Sequence, residues 1–431
     1  MKRALVVVAG ALALPAPAWA HAALTSAVPD AQSRVDVLPR AAVLSFSERL
    51  AAAATRIEVR SAAGRLVSGT TRVRGGVAST PLRGLRRGGY TVRWRALGAD
   101  GHVTSGVFTF GYRAAAPQPT EAYGAVGPGL SDDLARWGYF AAFALLLGGL
   151  GFRLLVVRGE AAAAYERRFY RVVGLGAVAA LQLGLLVFLL RADDALQLPF
   201  ARFLYGDVSP FAEETRFGKA FVVMSLGYTV VAALVFVAWL LERTAFLWAA
   251  FLLGLALLLG PSLSGHSAAA SGSSAVSELV DWIHVSAACL WLGGVVQLAL
   301  CVWPASPELR RVAFLRFSQL AMVLVAVLVA AGLYLSVLRL PSIDALWSED
   351  YGRVLLVKLA LVGAALSWGG FHHTFIRPRL LAGDTTSRGR TLLAEGATGM
   401  AVLLAAAVLV NSAPPSEPST TTPAAGARSP R

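Results

Sequence analysis

The chain has 431 residues, of which 56% are hydrophobic and only 15% charged, with a formal net charge of +14. A mean hydropathy of +0.61 is that of a membrane protein and excludes an ordinary soluble domain. The basic surplus raises nucleic acid as a partner, but the arginine clusters flank long apolar segments, as cytoplasmic loops do. With no compact basic patch interleaved with aromatics, nucleic-acid binding is excluded.

Met1-Lys2-Arg3, an apolar run from Ala4 to Leu14 and the triplet Ala18-Trp19-Ala20 predict a secretory signal peptide over residues 1–20. Cleavage after Ala20 would start the mature chain at His21, whose free α-amine and imidazole can chelate one metal ion together. Residues 21–113 carry alternating runs such as Ala42-Val43-Leu44-Ser45-Phe46, Arg56-Ile57-Glu58-Val59 and Tyr90-Thr91-Val92-Arg93-Trp94, punctuated by Gly and Pro. These predict short antiparallel strands in a small all-β sandwich or barrel. No cysteine occurs there, so the domain must rest on its apolar core. Residues 114–131, rich in Pro, Gly and Ala, read as a linker.

Eight apolar runs follow within 132–411, at about 134–157, 169–190, 217–241, 245–263, 278–303, 314–338, 353–376 and 391–411. Each is long enough to span a bilayer as a helix. An exported N-terminus puts the odd-to-even connections in the cytoplasm. Those connections hold Arg153, Arg158, Arg167, Arg168 and Arg171, then Arg310, Arg311 and Arg316, then Arg377, Arg379, Arg388 and Arg390. The positive-inside rule is met. The even count places the Pro/Ser/Thr-rich tail, 412–431, outside and predicts it disordered. Cys289 and Cys301 fall on one helix roughly 18 Å apart, too far for a disulfide.

The exported part holds two histidines, His21 and His102. If Ala99-Asp100-Gly101-His102 is extended, Asp100 and His102 point to the same side. Glu48 ends another strand-like run. The amine and imidazole of His21, the His102 imidazole and a carboxylate from Asp100 or Glu48 make a nitrogen-rich tetragonal set. Such a set suits Cu(II), whereas zinc favours tetrahedral sites. The competing reading is an ordinary Asp-Gly turn and a terminal histidine that is an accident of cleavage.

In the membrane half, Asp281 and His284 share one face at the outer end of the fifth helix, and His266 lies in the outer loop before them. Ionisable groups in a span usually face a cavity, pathway or partner. A metal reception site beneath the copper domain competes with a merely interfacial histidine. Lys358, just inside the seventh helix, either snorkels outward or pairs with Asp281. His372 and His373 fall at the cytoplasmic end of that helix and read as interfacial, with an exit site as the other option. Glu395 opens the last helix, where an acid is favourable in any case. The cysteines and Met224, Met322 and Met400 read as packing residues.

Tyr90-Thr91-Val92-Arg93-Trp94 followed by Ala99-Asp100-Gly101-His102 and Gly106-Val107-Phe108-Thr109-Phe110, behind a mature N-terminal His, resembles the CopC copper-binding family. The resemblance implies a periplasmic, cupredoxin-like Greek-key sandwich, with His21, Asp100 and His102 as Cu(II) ligands and Glu48 a nearby carboxylate. Some members add a methionine-rich Cu(I) site; with no methionine after Met1 in the exported part, a Cu(II)-only domain is expected. Asp281-x-x-His284 leading to Trp291-Leu292-Gly293-Gly294, then Arg316-Phe317-Ser318, Tyr351-Gly352-Arg353 with Lys358, and Glu395 resemble the CopD family of multi-spanning inner-membrane proteins. Together they imply a CopC–CopD fusion in a bacterial inner membrane, its N-terminal domain and tail periplasmic, linked to copper uptake and, in some settings, copper resistance.

The expected function is capture of Cu(II) and its import through the membrane domain, with His266, Asp281, His284 and Lys358 along the path and no catalysis. Copper ions and the lipid bilayer are the expected partners; the sequence leaves the oligomeric state open. No Walker motif is present, so gradients, membrane potential or cytoplasmic trapping must drive any transport. Sequestration or sensing without transport, haem-type electron transfer and a copper oxidase are the alternatives. Eight helices exceed what an anchor needs, bis-histidine haem needs partners at one depth, and no substrate cleft is recognisable.

Overall fold

The computed structural model describes residues 22, 24–99, 101, 103–117, 129–159, 163–196, 212–213, 215–264, 275–340, 342–348, 350–384 and 389–411. Eight strands come first: β1 (Leu24–Val28), β2 (Ser33–Val35), β3 (Ala41–Phe46), β4 (Arg56–Ser61), β5 (Arg72–Arg74), β6 (Val77–Pro81), β7 (Gly88–Leu97) and β8 (Val103–Tyr112). They form two four-stranded sheets, ordered β1-β3-β6-β5 and β2-β8-β7-β4. All pairings are antiparallel except β2 with β8.

Period-two patterning explains the sandwich. In β3, Ala42, Leu44 and Phe46 are buried while Ala41, Val43 and Ser45 are not, and β7 buries Tyr90, Val92, Trp94 and Ala96 in the same rhythm. These faces meet Ile57, Val59, Phe108 and Phe110 in one core. Phe46 meets Trp94 edge-on at 5.2 Å, and Tyr90 stacks on Phe110 at the same centroid distance. The Tyr90 hydroxyl accepts from the Arg86 amide at 2.7 Å and donates to the Arg86 carbonyl at 2.8 Å, locking the entry to β7.

Eight helices are long and apolar enough to cross a membrane: α1 (Leu130–Leu155), α2 (Ala163–Asp193), α3 (Phe217–Leu241), α4 (Thr244–Ser262), α5 (Ala275–Val302), α6 (Pro307–Leu338), α7 (Tyr351–Leu381) and α8 (Arg390–Val410). Their starts are chemically marked. The Asp132 carboxylate accepts from the Gly129 amide at 3.0 Å before α1, Thr215 Oγ1 from the Gly218 amide at 2.8 Å at α3, and Ser306 caps α6 with Pro307 behind it.

The bundle is centred on α1 and α5. Two thirds of the apolar window of α1 (67%) and 61% of that of α5 are buried, against 11% for α7, which lies at the rim. At the α1–α5 crossing a Cβ on Gly148 would lie 2.6 Å from the Gly293 Cα, so two bare backbones touch, as small residues permit between membrane helices. Around this centre Leu226, Phe236, Val323, Leu333, Val357 and Phe375 stand exposed on α3, α6 and α7. An apolar exterior on this scale matches lipid, not water. Arg153, read from sequence as a loop charge, is instead buried within α1: its guanidinium reaches the Glu166 carboxylate at 2.7 Å and the Gly159 carbonyl at 3.0 Å. Cys289 and Cys301 are buried and unpaired with each other, as packing residues are.

Candidate functional site

Of the four predicted copper ligands in the β domain, His21, Asp100 and His102 lie outside the described residues, and Glu48 lies in the bend after β3. Their chain neighbours nevertheless converge on one end of the sandwich. Ala22, beside His21, is fully buried, and its carbonyl accepts from Thr104 Oγ1 at 2.8 Å, two residues beyond His102. Arg49, beside Glu48, accepts through its carbonyl from the Ala99 amide at 3.0 Å, beside Asp100. Glu48 is half-buried, with Oε1 shielded from solvent.

Of the two readings of Ala99–His102, an extended stretch or an Asp-Gly turn, the described residues Ala99 and Gly101 favour the turn. Leu97 pairs with Val103 across β7 and β8, so the residues between them turn the chain. The Gly101 amide donates to the Gly98 carbonyl at 3.0 Å, and Gly101 has φ 80°, a left-handed conformation that glycine takes without penalty. Asp100 and His102 themselves lie outside the described residues.

This same tip meets the helices. A Cβ on Gly101 would lie 2.8 Å from the Phe217 Cβ of α3. Ala51, Ala54 and Leu97 share a buried cluster with Phe188 and Ala192 of α2, flanked by Phe217 and Phe221. Phe188 stacks on Phe221 at 4.2 Å, and the Arg191 guanidinium sits 4.6 Å from the Phe217 ring centre. The end of the sandwich where Ala22 meets Thr104 and Arg49 meets Ala99 is thus the end seated on the α2–α3 pair.

In the bundle, Asp281, His284 and Lys358 are half-buried and each is engaged by a neighbour; His266 lies outside the described residues. Trp282 donates through Nε1 to the Leu255 carbonyl of α4 at 2.8 Å, fixing the rotation of α5 at this level. His284 then points to α6, where its Cε1 would come within 3.3 Å of a Cβ on Gly332. The glycine makes the room for the ring.

The structure also brings together two residues that sequence reasoning kept apart. His372, read as interfacial, is buried, and its Nδ1 lies 2.8 Å from Glu395 Oε2 of α8, with side-chain exposures of only 7% and 8%. Glu395 is not a helix-opening acid; α8 begins at Arg390, a turn earlier. A legible signal existed: α7 and α8 are joined by a short connection, so the end of one and the start of the next must share a depth. His373 faces outward instead.

Three family models match in chain order: the CopC domain over residues 24–113, the copper resistance protein D-like N-terminal domain over 132–276, and copper resistance protein D over 311–410. The chain belongs to the CopC–CopD fusions. Its relatives include the copper transport protein CutJ of Bacillus subtilis, 29% identical over 94% of this chain and 76% of that protein. Protein YobA of Escherichia coli is 30% identical over 26% of this chain and 92% of its own length. Among solved structures, CopC from Methylosinus trichosporium OB3b is 25% identical, covering 23% of this chain and 99% of that one, with a TM-score of 0.21. In the CopC–CopD fusion the CopC match ends one residue beyond β8, and the two copper-resistance matches cover most of the helical bundle. The matched families are copper resistance and transport proteins.

Proposed function

We propose that the β domain captures Cu(II) through the His21 amine and imidazole, the His102 imidazole and a carboxylate from Asp100 or Glu48, and passes copper to the bundle for import. The observation that carries this reading is the convergence of Ala22, Arg49, Ala99 and Thr104 at the one end of the sandwich that rests on α2 and α3. A receptor held against its acceptor works at high effective concentration, so a tight site can still hand over its ion by ligand exchange. His266, Asp281 and His284 receive copper at the outer end of α5, with Lys358 tuning the field. The bundle lies in a bacterial inner membrane with the β domain outside. The arginines that flank the odd-to-even connections supply the orientation.

The test is copper accumulation in copper-limited cells that carry the chain, an empty vector, or the His284→Ala variant. Higher cellular copper with the wild type, lost in the variant, is the expected result. Equal cellular copper in all three, with a difference only in survival at toxic copper, would replace import by sequestration.

A further inference from the structure

We propose that His372 Nε2 is a second copper site, an inner station between α7 and α8 supported by Glu395. It rests on the transport reading above and supplies that pathway with the relay it otherwise lacks far from the receiving histidine.

The geometry is that of a metal-ligating histidine with its carboxylate support. Such a histidine gives one ring N–H to a carboxylate, which fixes tautomer and orientation and raises the basicity of the other nitrogen. Here Nδ1 meets Glu395 Oε2 at 2.8 Å. Nε2 is buried and has no hydrogen-bond partner among the described residues. A neutral imidazole donating from Nδ1 carries a bare lone pair at Nε2, and imidazole nitrogen is a ligand copper accepts. Buried polar atoms in folded proteins are nearly always satisfied, so an open nitrogen held in place by a buried carboxylate calls for an occupant.

The surroundings favour a cation. The ring centroids of Phe371, Phe314 and Trp368 lie 5.8, 6.2 and 6.3 Å from that of His372, so the carboxylate acts in a poorly screened setting. His372 also opens a π-helical turn, His372–Ile376, a distortion that recurs at functional sites. It stands on the helix with the most outward-facing apolar window, so burying this one histidine is specific to its position. A single protein nitrogen with open coordination positions holds an ion loosely enough to release it, as an exit station requires. His373, about 100° round the helix and exposed, takes no part.

The test uses the full chain in lipid nanodiscs with His21→Ala, His102→Ala, His266→Ala and His284→Ala, which remove the exported site and the outer receiving histidines. Cu(II) alone and Cu(I) alone are titrated against a chromophoric chelator, and X-ray absorption reads the ligands of the bound ion. The expected result is copper retained with imidazole nitrogen in its shell, lost on adding His372→Gln. Glu395→Gln, whose amide oxygen can still accept from Nδ1, should weaken binding roughly 10–100-fold. No retained copper, or retention unchanged in His372→Gln, overturns the site. Should His372→Gln fail to fold, an affinity unchanged in Glu395→Gln overturns it equally. Failure of the import reading shows instead as equal cellular copper with this binding intact.

Discussion

Gly101 carries two burdens that can be separated experimentally. Its φ of 80° lies in the left-handed region, which costs a residue with a Cβ about 1–2 kcal/mol. A Cβ there would also lie 2.8 Å from the Cβ of Phe217, an atom tied to the α3 backbone that cannot swing aside. Overpacking of this kind costs about 1–3 kcal/mol. Gly101→Ala should therefore destabilise the tip by about 2–5 kcal/mol in total. In a Phe217→Gly background the clashing Cβ and the ring behind it are both gone. Part of the penalty should then vanish, leaving chiefly the backbone strain. The assay is hydrogen exchange over residues 97–104 in all four combinations, since local opening sets the exchange rate. A coupling of about 1–3 kcal/mol corresponds to a roughly 5–150-fold difference in exchange between backgrounds. If Gly101→Ala accelerates exchange equally with and without the Phe217 ring, the tip does not bear on α3 and the docking described above is wrong.

Two further outcomes follow from other parts of the molecule. His21→Ala in the full chain should abolish tight Cu(II) binding, read by competition with a Cu(II) chelator; unchanged affinity would refute the terminal chelate. Gly293→Leu should prevent recovery of folded, monodisperse protein, because its side chain would enter the Gly148 backbone of α1; a well-behaved variant with wild-type thermal stability would show that the two helices can part.

The elements legible in the sequence are those with local signatures. Alternation marks β3, β4, β7 and β8, and run length marks all eight helices, whose cores match the expected spans. Boundaries slipped where polar residues extend a helix, as at Pro307–Arg339, whose first two turns are amphiphilic rather than apolar. The hairpin tip stays open in sequence because Asp-Gly can turn as readily as extend, and only the pairing of Leu97 with Val103 decides for a turn. Arg153 with Glu166, and His372 with Glu395, could not be read from hydropathy. A charge that finds its partner on another helix looks the same in sequence as one that meets water. The seat of the β domain on Phe188, Phe217 and Phe221 was hidden for a similar reason: aromatics at helix ends look interfacial until a neighbour covers them.

The crossing of α1 and α5 has a mechanical consequence. Where backbone lies on backbone at Gly148 and Gly293, no side chain is left to change rotamer and take up a displacement, and close-packed contacts switch in steps or not at all. These two helices form a stiff spine. Any rearrangement of the bundle would fall to the rim, where α6 and α7 present most of their surface outward. His284 belongs to the spine and faces Gly332 of α6, whereas His372 sits on the rim helix α7 itself.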